Sequence, residues 1–275
     1  MRIATWNING IKARFDRLTE WLEQDRPDIA CLQEIKSVDE AFPRAEIEAL
    51  GYHVETHGQK SFNGVALLSK KSPDEVMRGL PLVDDVGIVD DQARFIEAIY
   101  STKGGVIRVA CLYLPNGNPV IIEKDNRDAI SDKYHYKLNW MERLIAYASA
   151  RLEFEEPFIM AGDYNVIPAV QDAAHIDMWQ EDALYLSATR QKFRELLGLG
   201  LTDAVRMASD DRLYSFWDYQ AGAWQKNNGI RIDHLLLSPE AVDRTHGILI
   251  QKELRGYEKP SDHVPVWLDI ELEFA

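Results

Sequence analysis

An α/β fold with mixed or largely antiparallel sheets and helices on the outside is what this sequence predicts, and three observations lead to it. Apolar strand-like runs alternate with amphipathic helical segments. Several strands arrive in neighbouring pairs with no helix between them, which disfavours a purely parallel winding of strand, helix and strand. The 275 residues are 46% apolar and 28% charged, enough to fill a core and to cover it. One domain over residues 1–275 is expected, because sandwiches and α/β folds reach this length as a unit.

Arg2 to Ile8 alternates as a strand, and Phe15, Leu18 and Leu22 then recur at helical spacing. Asp28 to Gln33 is a second strand, too apolar to have a wet face. Further strands are predicted at Gly64 to Ser69, Arg94 to Ser101 and Val106 to Leu114. A loop rich in Asn, Gly and Pro follows from Pro115 to about Arg127, long enough to be functional. Ser131 is placed to cap a long helix with the apolar stripe Leu138, Met141, Leu144, Ile145 and Ala148. Pro157 ends that element and leads into a buried strand from Phe158 to Gly162. A helix at Ala188 to Leu197 and strands at Ile230 to Leu237 and Val264 to Leu272 complete the reading. Each half of the chain has a strand ending in polar groups, Thr5-Trp-Asn7 and Ala161-Gly-Asp163, which suggests an internal duplication without a sequence repeat to establish it.

Cys31 and Cys111 lie in apolar runs and read as reduced packing residues. The chain enters a strand at its N-terminus without a signal-like apolar stretch, and has no run of about 18 apolar residues. A soluble cytoplasmic protein without membrane contact is expected. The net charge of −14 argues at first against nucleic acid, since phosphate binding is driven by Lys and Arg. Basic groups can still gather locally, as at Lys12/Arg14/Arg17, Lys70/Lys71, Lys226/Arg231 and Lys252/Arg255/Lys259, although solvated surface explains each of them equally simply.

The informative chemistry sits where strands stop. Asn7 and Asn9 finish the first strand, Gln33 and Glu34 the second, and Tyr113 closes another. Asp163 and Asn165 follow the Phe158 strand, Asp233 lies inside Arg-Ile-Asp-His-Leu-Leu-Leu, and Asp262-His263 precede the last strand. One at a time, these are explained by turn chemistry. Glu34 after an apolar strand and Asp233 within one are harder to explain, because a charge there needs a pair, hydrogen bonds or a metal. For Asp233 structural pairing and functional use stay open. The set is hard, oxygens with one imidazole and no thiolate, which favours Mg²⁺, with Mn²⁺ as substitute, over zinc. A hard dication among carboxylates suits phosphoryl chemistry. Asp262 and His263 are adjacent in an extended stretch, where successive side chains point to opposite faces, so they are poorly placed to pair with each other.

Four stretches together resemble the exonuclease III family of abasic-site DNA endonucleases: Pro27-Asp-Ile-Ala-Cys-Leu-Gln-Glu-Ile-Lys36, Gly162-Asp-Tyr-Asn165, Asn227-Asn-Gly-Ile-Arg-Ile-Asp-His-Leu-Leu-Leu-Ser238 and Glu258-Lys-Pro-Ser-Asp-His-Val-Pro-Val266. Gly58-Gln-Lys, Gly64-Val-Ala and Tyr113-Leu-Pro-Asn116 are similar to further family segments, and the order holds from end to end. The resemblance implies a four-layer α/β sandwich of the DNase I-like type, two mostly antiparallel mixed sheets face to face with helices outside. It implies Mg²⁺-dependent hydrolysis of double-stranded DNA 5′ to abasic sites, with trimming of blocked 3′ ends and 3′→5′ digestion, and no obligate protein partner is evident.

Carried over by position, Glu34 resembles the principal metal ligand, with Asn7 and Asp262, and Asp163, Asn165 and His263 as further metal-site residues. Asp163 resembles the base that deprotonates water, Asn165 the amide that fixes it, and His263 the phosphate-binding group held by Asp233. Tyr113 would donate its phenol to the phosphate. Phe216, Ile230 and Ile232 correspond to a wall against the abasic sugar, and Asn9 and Asn116 to DNA contacts. Lys124 and Arg127 are further candidates for phosphate contacts. Asp203-Ala-Val-Arg206 departs from the family pattern, and Ile230 stands where some members have tryptophan. Two other functions are weighed: the same chemistry on a sphingomyelin or inositol-phosphate substrate, and a non-catalytic binding module. Leu-Gln-Glu-Ile-Lys combined with Asn-x-Gly-x-Arg-Ile-Asp resembles the nuclease branch, and the acidic positions that a binding module would be expected to lose are all filled.

Overall fold

Alternating β-branched and aliphatic residues build two six-stranded sheets in the computed structural model, which describes residues 1–81, 90–123 and 126–275. The first contains β1 (Arg2–Asn7), β2 (Ile29–Gln33), β3 (His53–His57), β4 (Val65–Ser69), β13 (Thr245–Ile250) and β14 (Val266–Ile270). The second contains β5 (Glu75–Arg78), β6 (Phe95–Thr102), β7 (Gly105–Tyr113), β10 (Phe158–Asp163), β11 (Thr202–Asp203) and β12 (Asp233–Leu237). A separate ribbon pairs β8 (Ile121–Glu123) with β9 (Asn126–Ile130). The helices are α1 (Ile11–Asp25), α2 (Arg44–Glu48), α3 (Asp132–Leu152), α4 (Ser187–Gly198), α5 (Ala204–Ala208) and α6 (Pro239–Val242). No described helix is long and apolar enough to cross a membrane.

From one edge to the other the first sheet runs β13-β14-β1-β2-β4-β3, and the second β5-β6-β7-β10-β12-β11. In both, the two central strands pair parallel and every other neighbouring pair is antiparallel. The parallel pairs are β1 and β2, joined by α1, and β7 and β10, whose long connection contains α3. The two sheets thus share one plan, and it pairs the strand ends differently from the sequence. By chain order β1 corresponds to β7, so Asn7 is the counterpart of Tyr113, and Asp163 belongs with the end of β2.

Three apolar layers hold the sandwich together. Ile3, Ile29, Cys31 and Leu67 of the first sheet meet Ile96, Val109, Cys111, Ile159 and Leu235 of the second. Trp6, Leu32 and Leu68 face Leu18, Trp21 and Leu22 of α1, and Leu112, Phe158 and Met160 face Met141 and Leu144 of α3 and Phe193 of α4. Each such side chain contributes about 1.5–3 kcal/mol when fully buried. Ser131 caps α3 by accepting the Tyr134 N–H at 3.1 Å. The helix buries Tyr134, Lys137, Trp140, Met141, Leu144, Tyr147 and Ala148, so its inward face lies slightly N-terminal of the predicted stripe and includes a lysine.

Several expectations change. The Pro115 to Arg127 loop contains β8 and the start of β9, strands too short to register against a turn-rich composition. Lys124 and the side chain of Arg127 lie outside the described residues. The predicted Ile230 strand begins at Asp233, because the Arg231 N–H bonds Asp172 and the Ile230 N–H bonds Phe216, both outside the ladder. Asp233 therefore opens its strand rather than interrupting it. β3, β5 and β13 escaped notice as edge strands with mixed burial. Arg231 and Arg255 are buried, not part of a basic surface.

Gly162 is required by the pairing of β10 with β7. A Cβ there would stand 2.0 Å from the Leu112 carbonyl oxygen, a backbone atom held in the ladder. Gly162→Ala is expected to lose about 1–3 kcal/mol through overpacking. Urea unfolding should show a lower midpoint with an unchanged slope; an unchanged midpoint would mean that the two strands can part freely.

Candidate active site

Four strands end at one edge of the sandwich, because the parallel pairs of both sheets present their C-terminal ends there. Asn7 ends β1, Glu34 follows β2, Tyr113 ends β7 and Asp163 ends β10. The antiparallel neighbours begin at the same edge, so Asp233 opens β12, and Asp262 and His263 lie just before β14. Asn9, Glu34, Lys36 and Asn165 all have left-handed backbone, with φ of 48°, 49°, 51° and 48°. Asn adopts this region at modest cost, whereas Glu34 and Lys36 are held in it. The Gly10 N–H donates to the Glu34 carbonyl at 2.7 Å, and those of Ile35 and Lys36 to the Gly64 and Asn63 carbonyls.

Asn7 is buried between two carboxylates. Its Nδ2 donates to Glu34 Oε1 at 3.1 Å and to Asp163 Oδ2 at 2.9 Å, while its Oδ1 accepts the Asn9 N–H. It meets the carboxylates as a donor, and the oxygen that would ligate a cation is turned to the backbone. Glu34 also accepts from Tyr113 Oη at 2.7 Å and pairs with Lys36 Nζ at 2.9 Å. Burial would raise the Glu34 pKa, but Lys36, Tyr113 and Asn7 hold it below the usual value. Burial, with Glu34 and Asp163, pushes the Tyr113 phenol well up and keeps it a donor.

Asp163 and Asp233 are both buried, with His263 between them. His263 Nδ1 lies 2.8 Å from Asp233 Oδ2, and its Nε2 lies 3.8 Å from Asp163 Oδ2. Burial opposes the imidazolium, but Asp233 and Asp163 outweigh it and raise the pKa to about 10. Asp163 moves up to about 7 through burial, with Asp233 and Glu34 adding repulsion against the opposing pull of His263. The Asn165 N–H donates to Asp163 Oδ1 at 2.9 Å, and Asn165 Oδ1 accepts from Asn116 Nδ2 at 3.0 Å. Asp262 points elsewhere. Its Oδ1 accepts from Asn9 Nδ2 at 3.0 Å, and Asn9 Oδ1 accepts from Lys36 Nζ at 2.5 Å, which links Asp262 to the Glu34 side.

The segment Ser215–Trp217 laces these parts together. Ser215 Oγ accepts the Asp233 and Ile232 N–H groups, Phe216 bridges to Ile230 and His263, and the Trp217 N–H donates to the Asp262 carbonyl. The Phe216 ring meets His263 edge-on at 4.9 Å between centroids. Phe216 and Ile230 line a cavity of about 380 Å³ with Ala174, Trp179 and Asp182. Ile232 is packed with Ile167 and Leu184 and is absent from that lining. Between the two isoleucines Arg231 is fully buried against Asp172 at 2.7 Å and Asp203 at 2.8 Å, and Arg206 reaches the same Asp172 at 2.5 Å. The departure at Asp203-Ala-Val-Arg206 thus keeps both charged ends of the motif in use.

The donor set fits a hard divalent cation. Oxygens of Asp163 and Asp233 and a ring nitrogen of His263 lie within 4.8 Å of one another, Glu34 and Asp262 flank them, and both cysteines are packed between the sheets. Asp233 already occupies His263 Nδ1 at 2.8 Å, which leaves the carboxylates of this edge as the cation's oxygen donors. Lys36, Ser215 and Ser261 were not foreseen as site residues. Lys36 lies within the quoted Pro27 to Lys36 stretch and Ser261 within the quoted Glu258 to Val266 stretch; Ser261 Oγ donates to the Asn7 carbonyl at 2.7 Å and accepts the His263 N–H at 3.2 Å, and Ser215 acts through the backbone bonds given above.

Residues 4–263 match the model of the endonuclease/exonuclease/phosphatase family. The chain is 34% identical to exodeoxyribonuclease III of Haemophilus influenzae over 98% of its own length and 99% of that protein. Among solved structures it is similar to an AP endonuclease from Archaeoglobus fulgidus, with TM-score 0.87, 33% identity and coverage of 98% and 99%. A 3′ phosphatase from Neisseria bound to a product DNA hairpin matches with TM-score 0.88, 33% identity and the same coverage.

Both raised pKa values make stability fall with pH. The contribution of Asp163 is fully present below its ordinary 3.8 and is lost as pH rises through about 7, and that of His263 is present below 6.5 and lost through about 10. In EDTA the melting temperature is expected to fall as pH rises across this range. Added Mg²⁺ should raise it more at about pH 8.5 than at about pH 5.5, because the cation takes the place of protons. Equal gains at the two pH values would show that no cation relieves this charge.

Proposed function

The chain belongs to the endonuclease/exonuclease/phosphatase family, in its exonuclease III branch, and on that premise we propose how its residues hydrolyse DNA. It is a DNA-hydrolysing enzyme of the exodeoxyribonuclease III and AP endonuclease type. The substrate is proposed to be duplex DNA, cut at the phosphodiester 5′ to an abasic site and processed from blocked or recessed 3′ ends. The observation that carries this is the buried Asp163 carboxylate at the edge where both sheets end, bonded by Asn7 and the Asn165 N–H with the His263 ring 3.8 Å away, in a chain similar over nearly its full length to DNA-processing enzymes.

Asp163 takes the proton of the attacking water; a base titrating near 7 combines the correct form with useful proton affinity at neutral pH. The Asn165 N–H fixes the carboxylate, and the Asn165 side-chain amide, held by Asn116 and the Leu114 carbonyl, has a second N–H with which to hold the same water. As the hydroxide adds to phosphorus, negative charge grows on the phosphate oxygens. His263 donates to one of them from Nε2, since Asp233 occupies Nδ1 and fixes the ring. Such preset donors typically contribute about 3–4 kcal/mol each to the barrier. Tyr113 is a second donor, which must turn from Glu34 to the phosphate. The bond from phosphorus to the leaving oxygen then breaks, that oxygen takes up a proton from solvent water, and Asp163 returns its proton to solvent. A divalent cation held by Glu34 and Asp262, Mg²⁺ or Mn²⁺, supplies positive charge for the phosphate and the leaving oxygen when bound.

The Phe216 and Ile230 wall receives the sugar. Extrusion costs least at a nucleotide with no base to unstack, so a small apolar wall beside His263 selects abasic sites. Lipid and inositol-phosphate substrates are set aside, because near-full-length similarity connects the chain to DNA-processing enzymes.

Asp163→Asn is expected to lower cleavage of a duplex carrying one tetrahydrofuran abasic analogue by at least about 10³-fold, with DNA binding retained. Full activity in this variant would remove Asp163 as the base. EDTA should stop cleavage by the unmodified chain and Mg²⁺ or Mn²⁺ restore it; restoration by zinc alone would contradict the oxygen-rich donor set.

A further inference from the structure

Lys137 is a fully buried lysine on the inward face of α3, and none of the steps above uses it. Its Nζ donates to the Asn165 carbonyl at 2.6 Å and to the Asn116 carbonyl at 3.1 Å. These carbonyls belong to the segments leaving β10 and β7, the parallel pair of the second sheet. The same segments are joined by the Asn116 to Asn165 amide bond, by Asn165 Nδ2 donating to the Leu114 carbonyl at 2.9 Å, and by the Leu114 N–H donating to the Asp163 carbonyl at 2.8 Å. Lys137 thus ties together the backbones whose side chains form the water-activating half of the site.

The fit around the lysine stem is close. Gly117 has φ +89°, and a Cβ on it would stand 2.7 Å from Lys137 Cδ and 3.2 Å from the Ala183 Cβ. Asn165 is itself left-handed, so its carbonyl and its N–H are fixed by one unusual turn, the carbonyl on Lys137 and the N–H on Asp163 Oδ1. Movement of the carbonyl therefore moves the bond that sets the Asp163 carboxylate. Burial draws the amine down to about 7. The bridge does not depend on its charge, because two carbonyls need two N–H donors and the amine carries at least two in either form.

We propose that Lys137 is a positioning residue for hydrolysis, seating Asn165 and, through its N–H, Asp163. The proposal rests on the roles given above to those two residues. Without the amine, the interior Asn165 carbonyl loses its donor and the turn can relieve this by shifting. A displacement of about 1 Å in a reacting constellation costs on the order of a hundredfold in rate.

The test is a double-mutant cycle on the whole chain, read as single-turnover cleavage of the tetrahydrofuran duplex in Mg²⁺, with DNA affinity measured in parallel. Lys137→Met is expected to slow cleavage at least about tenfold with affinity within about twofold, and to slow the already impaired Asp163→Asn chain, in which the base that Lys137 seats is gone, by less than about twofold. Lys137→Arg should recover part of the rate. An equal loss in both backgrounds, or no loss, overturns the proposal. If circular dichroism shows that Lys137→Met does not fold, Lys137→Arg and Gly117→Ala, which keep a donor but displace it, enter the same cycle under the same criterion. An unmodified chain that leaves the duplex intact would instead overturn the proposed function.

Discussion

Asp163, Asp233 and Glu34 share one edge of the sandwich with little access to water, and the rest of the site is organised by the cost of keeping like charges together. Each carboxylate is stabilised differently. Asp233 has the His263 ring at 2.8 Å, and Glu34 has Lys36, the Tyr113 phenol and one bond from Asn7. Among the described residues Asp163 has only neutral donors in contact, the Asn7 amide and the Asn165 N–H, with the nearest cation 3.8 Å away. Burial is therefore what chiefly raises its pKa, and Asp233 and Glu34 add repulsion that no contacting cation relieves. The same imbalance makes it the member of the set able to accept a proton at neutral pH.

The topology explains why these groups meet at an edge. β2, β4, β10 and β12 are buried along their whole length, because helices cover one face of each sheet and the opposite sheet covers the other. An ionised side chain in the middle of such a strand would face an apolar layer on either side. Strand ends are the positions where a carboxylate can be buried yet still turned toward a substrate. Each sheet contributes its parallel pair and the starts of the antiparallel strands beside it. Neither sheet alone holds Glu34 together with Asp163; face-to-face packing brings them within reach of one amide, that of Asn7.

Much of this was legible in the sequence, for physical reasons that vary from element to element. Strands buried on both faces are continuous apolar runs and stand out, as at Ile29–Gln33 and Phe158–Asp163. The Ser131 cap and the stripe of α3 follow from local chemistry. Edge strands such as Thr245–Ile250 are half-buried and mixed in composition, so their pairing is decided by tertiary contacts and leaves little pattern. The strand-end residues could be named one by one, but not what each side chain touches. Asn7 is present as a donor because the local Asn9 N–H takes its amide oxygen, and the carboxylates that its Nδ2 then meets, Glu34 and Asp163, are 27 and 156 residues away, which residue type does not encode. Arg231 counted as a surface charge, because a buried arginine and an exposed one are the same letter; its partners Asp172 and Asp203 are distant in sequence. Lys137 fell among apolar positions at helical spacing and was invisible for the same reason.

The segment Ser215–Trp217 joins the cavity proposed to receive the sugar to the residues proposed to act at the phosphate. One backbone stretch bonds Ile230 of the cavity, the start of β12 at Asp233, and the turn carrying Asp262 and His263. The Phe216 side chain then packs its edge against the imidazole that Asp233 orients. A shift of Phe216 to accommodate a bulkier group would be transmitted to His263 through both its ring and its backbone bridge. Buried Arg231 anchors the opposite side of this strip through Asp172 and Asp203, so the cavity wall is backed by ion pairs rather than by side chains free to repack. Under the proposed function, discrimination against a nucleotide that still has its base has two physical sources: the base must be unstacked before it can enter, and a wall displaced by it would carry His263 away from the phosphate.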